Sequence, residues 1–156
     1  MERKIVLHLD YLYGPDASSY WPIRELSFET SKRTGRIKRI YWKGKLLGTV
    51  RENGSIALSL LGARLLARCE RIRNEYCVVV SKDAVEPVSQ GKSVFAKHVL
   101  YSGDKIRPKM DVIVLDPDGN VIAVGQSTLS ARAMKEMDRG VAIKVREGLK
   151  KSSTDT

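Results

Sequence analysis

No stretch of the 156 residues approaches the roughly 18 consecutive apolar residues that a membrane-spanning helix needs. The amino-terminal MERKIVLHLDYLY begins with charges and lacks the apolar core and small-residue cleavage site of a secretory leader. A cytoplasmic protein with no membrane partner is therefore expected. Only two cysteines, Cys69 and Cys77, and two histidines, His8 and His98, are present. They make no zinc spacing, and the thiols read as packed side chains, so neither metal nor cofactor is expected. Gly91-Lys92-Ser93 lacks the upstream glycine of a nucleotide-binding P-loop. No His/Cys/Asp constellation stands out, and no catalytic residue is assigned. There is no internal repeat.

Acid is what the chain locally lacks. The segment 32–51 contains Lys32, Arg33, Arg36, Lys38, Arg39, Lys43, Lys45 and Arg51 without a single Asp or Glu. The chain as a whole carries a net charge of +10, which favours a polyanionic partner. The surplus is uneven: residues 1–83 hold 16 Lys/Arg against 9 Asp/Glu, and residues 84–148 hold 10 against 8. The front half is the electropositive one.

The 42% hydrophobic content is enough for a packed core. Residues 4–9 (KIVLHL) read as a buried strand, followed by a loop rich in Gly, Pro and Ser. Residues 37–42 and 45–50 alternate in polarity and are joined by Lys43-Gly44, a hairpin signal in which Gly44 supplies a positive φ. Asn53-Gly54 turns into a third strand over 55–58, completing a meander. A helix is expected over 60–73, from Leu61, Leu65, Cys69 and Ile72 at helical spacing, with Asn74 as its stop. Gly62 costs this helix about 1 kcal/mol relative to Ala, which implies a loose first turn or a close contact.

In the second half, Asp83 stands three residues before Glu86, the spacing of a capping box, with Pro87 close behind. The helix should end at Gly91 and lead into a strand over 93–100. Two further strands, 111–115 and 121–127, flank Asp116-Pro-Asp-Gly-Asn120, a turn sequence. Ser130 caps a short helix, and Gly140 releases the chain into a closing strand over 141–146. The expected fold is α+β: a small antiparallel sheet with one packed helix over 1–77, a partly closed β-barrel with short helices over 78–148, and a disordered tail over 149–156.

The order of motifs goes further. VVVSKDAVEPVSQGKSVFAKHV, DKIRPKMDVIVLDPDGNVIAVGQSTLS and RGVAIKVREG together resemble the PUA domain, the RNA-binding module named after pseudouridine synthases and archaeosine transglycosylases. Where that family usually has a glycine after proline, this chain reads Pro108-Lys109-Met110-Asp111. GRIKRIYWKGKLLGTVRENGSIALSLLGARLL, residues 35–66, is similar to the domain directly before PUA in archaeosine tRNA-guanine transglycosylases. The catalytic (β/α)₈ barrel of that family needs about 250 residues, for which this sequence has no room. The resemblance implies a pseudo-β-barrel and a non-catalytic RNA-binding protein. Its expected partners are tRNA and a separate transglycosylase catalytic subunit. The alternative is a ribosome- or translation-factor-associated PUA module that binds rRNA or protein.

By the same resemblance, RNA lies along the glycine loop, the strand after it and the closing strand. That gives Gly91, Lys92, Ser93, Phe95, Lys97 and His98, with Lys144 and Arg146 opposite. Gly91 lets a sugar-phosphate backbone approach closely and also suits a helix C-cap. The lysines and Arg146 neutralise phosphates, although Lys97 equally suits protection of an edge strand, and His98 reads more simply as packed. Arg36, Lys38, Arg39, Lys43 and Lys45 form the second candidate surface, for which a solvated sheet face is the competing reading.

Overall fold

The computed structural model describes residues 1–150. Met1–Ile72 and the chain from Arg73 onward form two compact units, divided somewhat ahead of the 77/78 boundary read from the sequence. The architecture is α+β, with a small antiparallel sheet in the first unit and a nearly closed, mixed, barrel-like sheet in the second.

The first unit opens with helix α1 (Glu2–Tyr13), where a strand was expected over 4–9. Burial explains the correction. Ile5, Leu9 and Tyr13 are buried at four-residue spacing, whereas Leu7, which would share a strand face with Ile5 and Leu9, is 62% exposed. After two 3₁₀ turns come β1 (Leu26–Thr30), β2 (Ile37–Trp42), β3 (Lys45–Val50) and β4 (Ile56–Leu58), an antiparallel meander in sequence order. β1 was not anticipated. Lys43 and Gly44 both take positive φ (50° and 77°), the two-residue turn that matches strand twist.

The single helix expected over 60–73 is two helices, α2 (Leu60–Leu66) and α3 (Glu70–Tyr76), and Asn74 lies inside the second. Between them the bonds tighten to i→i−3, from Arg68 N to Leu65 O and from Cys69 N to Leu66 O. Leu60, Ala63, Leu65, Leu66, Cys69 and Ile72 are all buried, covering more of the circumference than one straight helix presents. Ser59 caps α2 by accepting from Gly62 N at 3.0 Å, and α2 packs on β3 and β4. Gly62 is there for close contact. A Cβ would overlap the Leu47 carbonyl and stand 3.2 Å from Trp21 Cζ2, and Trp21 Nε1 donates to the Gly62 carbonyl at 3.1 Å.

In the second unit β5 (Cys77–Val80) leads into α4 (Lys82–Ser89), which begins after Ser81, so Asp83 falls in its first turn and Pro87 lies inside it. The strand expected over 93–100 is broken into β6 (Val94–Phe95), a 3₁₀ turn (Ala96–His98) and β7 (Val99–Ser102). β8 (Asp111–Leu115) and β9 (Val121–Ser127) form the anticipated hairpin, α5 (Ala131–Glu136) is capped by Ser130, and β10 (Val141–Gly148) closes the unit. The strand order is β6-β10-β9-β8-β5-β7, with β5 and β8 parallel and the other pairs antiparallel. Val78, Val80, Val88, Val94, Val112, Val114, Ile122 and Ile143 fill the core. Of the tail, Leu149 N donates to Ile122 O and Lys150 N to Ser89 O, both at 2.8 Å, so these two residues are held in place. Residues 151–156 of the expected disordered tail lie outside the described residues.

Lys109 takes the left-handed conformation (φ 66°) at the position after Pro108. Its N–H donates to Ser127 O at 2.7 Å, and its carbonyl accepts from Gln126 Nε2 at 3.1 Å. The loop thus keeps a glycine-type backbone with a lysine in it.

Two substitutions test these local arguments through urea unfolding. Gly62→Ala should lower stability by about 1–3 kcal/mol despite its better helix propensity, because the clash with β3 outweighs that gain. Lys109→Gly should raise stability by about 0.5–1 kcal/mol by relieving the left-handed strain. A stabilised Gly62→Ala protein, or a destabilised Lys109→Gly protein, would contradict the respective account.

Candidate nucleic-acid interface

The glycine loop and the closing strand do come together. Gly91 (φ 96°) ends α4, with its N–H on Val88 O at 3.0 Å, and the chain turns into β6. β6 pairs antiparallel with β10, Phe95 opposite Val141 and Val94 opposite Ile143, so the loop runs back along the remainder of β10. Lys92, Phe95 and Lys144 are exposed on this surface, and Ser93 is half-buried. Val94 turns inward and is fully buried, while Phe95 is 45% exposed.

The other members of the predicted set sit differently. Lys97 is exposed on the 3₁₀ turn and not on an edge strand. His98 leaves the β10 side: its Nδ1 stands 3.3 Å from Ser81 Oγ, and its carbonyl accepts from Ser81 N at 2.8 Å. Arg146 extends to Asp111, with Nη2 4.0 Å from Oδ1 of a carboxylate that is only 4% exposed. Its charge therefore compensates a buried acid. Asp111, Gln126 and Lys144 are register partners across β8, β9 and β10. Gln126 in turn holds the Lys109 carbonyl, which brings the exposed loop cations Arg107 and Lys109 to the same face. Arg107 and Lys109 stand outside the set of candidates read from the sequence. The signal was there in the alternation of Lys105, Arg107 and Lys109 through the loop.

The basic segment of the first unit also divides. Arg39 donates to Glu29 Oε1 at 2.9 Å across the β1–β2 pair, and Tyr41 Oη donates to Oε2 at 3.3 Å. The Arg39 hydrogen bond holds the Glu29 carboxyl below its ordinary value of 4.5. Lys43 Nζ lies 4.9 Å from the centroid of the Trp42 ring, a cation–π contact, and Lys45 pairs with Trp42 at that same end of the hairpin. Arg36 and Lys38 belong to the opposite end. There they line a cleft of about 910 Å³ together with Lys4 of α1, Arg33 of the β1–β2 loop and Arg51 beside the β3–β4 turn. Glu52 is the one acid on its lining. Lys4, Arg33, Arg36 and Lys38 form no ion pair among the described residues. Lys4 could not be found while residues 4–9 were read as a strand.

Comparison with known proteins gives both units a family. Residues 76–149 match the PUA domain, and residues 3–71 match the patch-forming domain C2 of tRNA-guanine transglycosylase. A tRNA-guanine(15) transglycosylase of Methanocaldococcus jannaschii is 35% identical over 144 residues, which is 91% of this chain and 22% of that protein. The chain thus spans about a fifth of the length of such relatives. Among solved structures, a hypothetical protein of Pyrococcus horikoshii OT3 superposes with a TM-score of 0.73 at 24% identity, covering 94% of this chain and 89% of that one. A conserved PUA domain protein of Thermoplasma acidophilum follows with 0.67 at 23%, covering 94% and 87%. At those identities the two structures speak for the fold.

The Arg39–Glu29 pair makes a pH prediction. A carboxyl whose folded value lies below its unfolded value stabilises the fold above the ordinary value of 4.5, and that contribution is lost as pH falls through the lowered value. The wild type should therefore melt slightly above Glu29→Gln near neutral pH, and the difference should vanish in acid. The pair is more than a third exposed, so the effect is small. A difference in melting temperature that persists unchanged in acid would assign the effect to packing.

Proposed function

Because the chain belongs to the PUA-domain proteins, with a patch-forming C2 domain ahead of that module, we propose that it is a non-catalytic RNA-binding protein whose RNA is tRNA. It holds the tRNA for a separate transglycosylase catalytic subunit, adding binding energy remote from the chemistry and orienting the substrate. The observation that carries this reading is the extent of the match. Nine-tenths of the chain aligns with the Methanocaldococcus jannaschii tRNA-guanine(15) transglycosylase, within only 22% of its length. The aligned part contains two surfaces with exposed cations.

On the second unit the proposed contacts are Gly91, Lys92, Ser93, Phe95, Lys97 and Lys144. The bare Gly91 admits the sugar-phosphate backbone, the lysines meet phosphates, and the Phe95 ring offers an apolar face to a ribose or base. On the first unit the contacts are Arg36 and Lys38. Arg39, Lys43 and Arg146 have side-chain neighbours of their own and contribute mainly to the field, Lys45 stands exposed beside Lys43 at the far end of the hairpin, and His98 faces Ser81. Structured RNA gripped in this way is read by shape and phosphate position.

The test is tRNA binding by the full chain as a function of salt. With about four phosphates neutralised, affinity should fall about a hundredfold over a fourfold rise in salt. A Lys97→Ala plus Lys144→Ala protein should bind about tenfold more weakly, with a shallower salt slope. Wild-type affinity in that folded double variant would remove the site. Crosslinking in native cells that recovers rRNA and no tRNA would overturn the choice of RNA.

A further inference from the structure

The cleft of the first unit is more than a charged strip. Its walls come from separate parts of the chain: α1 supplies Lys4, Ile5 and His8, the β1–β2 connection supplies Arg33 and Arg36, and the β3–β4 turn supplies Arg51 and Gly54. Its volume of about 910 Å³ lies at the upper end of the range for sites that enclose a small molecule. The lining has two chemistries. Ile37 and Val50 are apolar and half-buried, above a floor at Ile5 that is itself only 1% exposed. Around them stand five cations, of which Lys4, Arg33, Arg36 and Lys38 are exposed. His8 Nε2 donates to the Gly54 carbonyl and fixes one wall, and Arg51 Nη1 donates to Ser55 Oγ at 3.0 Å.

We infer that this cleft is a pocket for one unpaired nucleotide of an RNA, with its base against Ile37 and Val50 and its phosphate among Arg33, Arg36 and Lys38. The inference rests on the RNA-binding reading above and adds a ligand class to it. Paired bases in an A-form helix are stacked and out of reach, so a duplex offers such a site only phosphates and riboses. An apolar interior ringed by cations suits an amphipathic unit, a base carrying its own phosphate. That unit has two sources, a bulged nucleotide within the chain and a nucleotide overhanging an end. A flat cationic face would favour neither over plain duplex.

The experiment measures affinity of the full chain for four RNAs: a fully paired hairpin, the same hairpin with one bulged uridine, the same with a one-nucleotide 3′ overhang, and the same with an abasic bulge. At least one of the uridine-bulge and overhang forms should bind about tenfold more tightly than the paired hairpin, and which one does so identifies the source. The abasic bulge should lose most of that gain. An Arg36→Ala plus Lys38→Ala protein, altered at two exposed positions and checked for folding by circular dichroism, should bind all four RNAs within about twofold of one another. It should bind the paired hairpin more weakly than the wild type, through the contacts that remain on the second unit. Equal affinity of the wild type for all four RNAs overturns the pocket while leaving RNA binding intact, as does a preference that survives the double variant. An abasic bulge as good as uridine overturns the base half of the assignment and leaves a phosphate site. Failure of the wild type to bind any of the four RNAs, or tRNA, overturns the RNA-binding reading itself.

Discussion

The second unit depends on one stretch of chain, 94–102, hydrogen-bonding to both ends of the same sheet. β6 pairs with β10 at one end of the strand order, and β7 pairs with β5 at the other. A straight strand does not serve both edges, so the chain turns through Ala96–His98. There Ala96 N donates to Gly140 O at 2.9 Å and His98 O accepts from Ser81 N at 2.8 Å. Both ends of the turn are thereby satisfied, and neither sheet edge is left as a long open template. The turn also decides what faces outward. Ala96 is small and buried, while Phe95 and Lys97 on either side of it are exposed. Closure of the barrel and display of the candidate RNA surface are thus one event in the chain.

Electrostatics divides the cations into two groups, and the division matters more than their number. Arg39 on Glu29, Arg146 toward Asp111, Lys150 on Glu86 and Lys43 over Trp42 all have local partners. In the first and third of these the cation depresses the partner carboxyl, a sign that the charge is shared locally. Arg36, Lys92, Lys97 and Lys144 have no such partner among the described residues, and Lys38 makes no ion pair there but adds to the field that lowers Glu29. A net charge of +10 sets the long-range attraction to a polyanion. On the proposed reading, the contacts that carry salt dependence would come from the second group.

Much of this was legible in the sequence where local chemistry is decisive. The Lys43-Gly44 hairpin, the β8–β9 hairpin and the Ser130 cap fall where turn and cap residues place them. The first helix was not legible, because KIVLHL is a short apolar run that suits either period, and only the exposure of Leu7 decides. The break after Ala67 and the interrupted strand at Ala96–His98 follow from tertiary demands, burial on several sides in one case and closure of a sheet in the other. For the candidate site, the glycine loop and closing strand were proposed by resemblance, and the structure pairs them. The pairing of Arg146 with Asp111 was hidden, because the two lie 35 positions apart in sequence and meet only across strands. The cleft was half visible: Arg36 and Lys38 stood out in the acid-free segment, but Lys4 joins them only once residues 2–13 are a helix.

The fold places its two cationic surfaces on separate compact units, and the two differ in form. The surface on the second unit is a strand-and-loop face that meets a backbone from outside, whereas that on the first is a cleft with an apolar interior. A face of the first kind neutralises phosphates with little regard to sequence or pairing. A cleft of the second kind rewards a nucleotide free of its helix. If both surfaces bind RNA as proposed, their presence on one chain lets effective concentration add them, so each can be weak on its own while the combination is tight. It follows that selectivity resides in whichever surface discriminates and affinity in the pair. The proposed sites would on that ground favour an RNA that offers both a stem and an unpaired nucleotide over a plain duplex of equal charge.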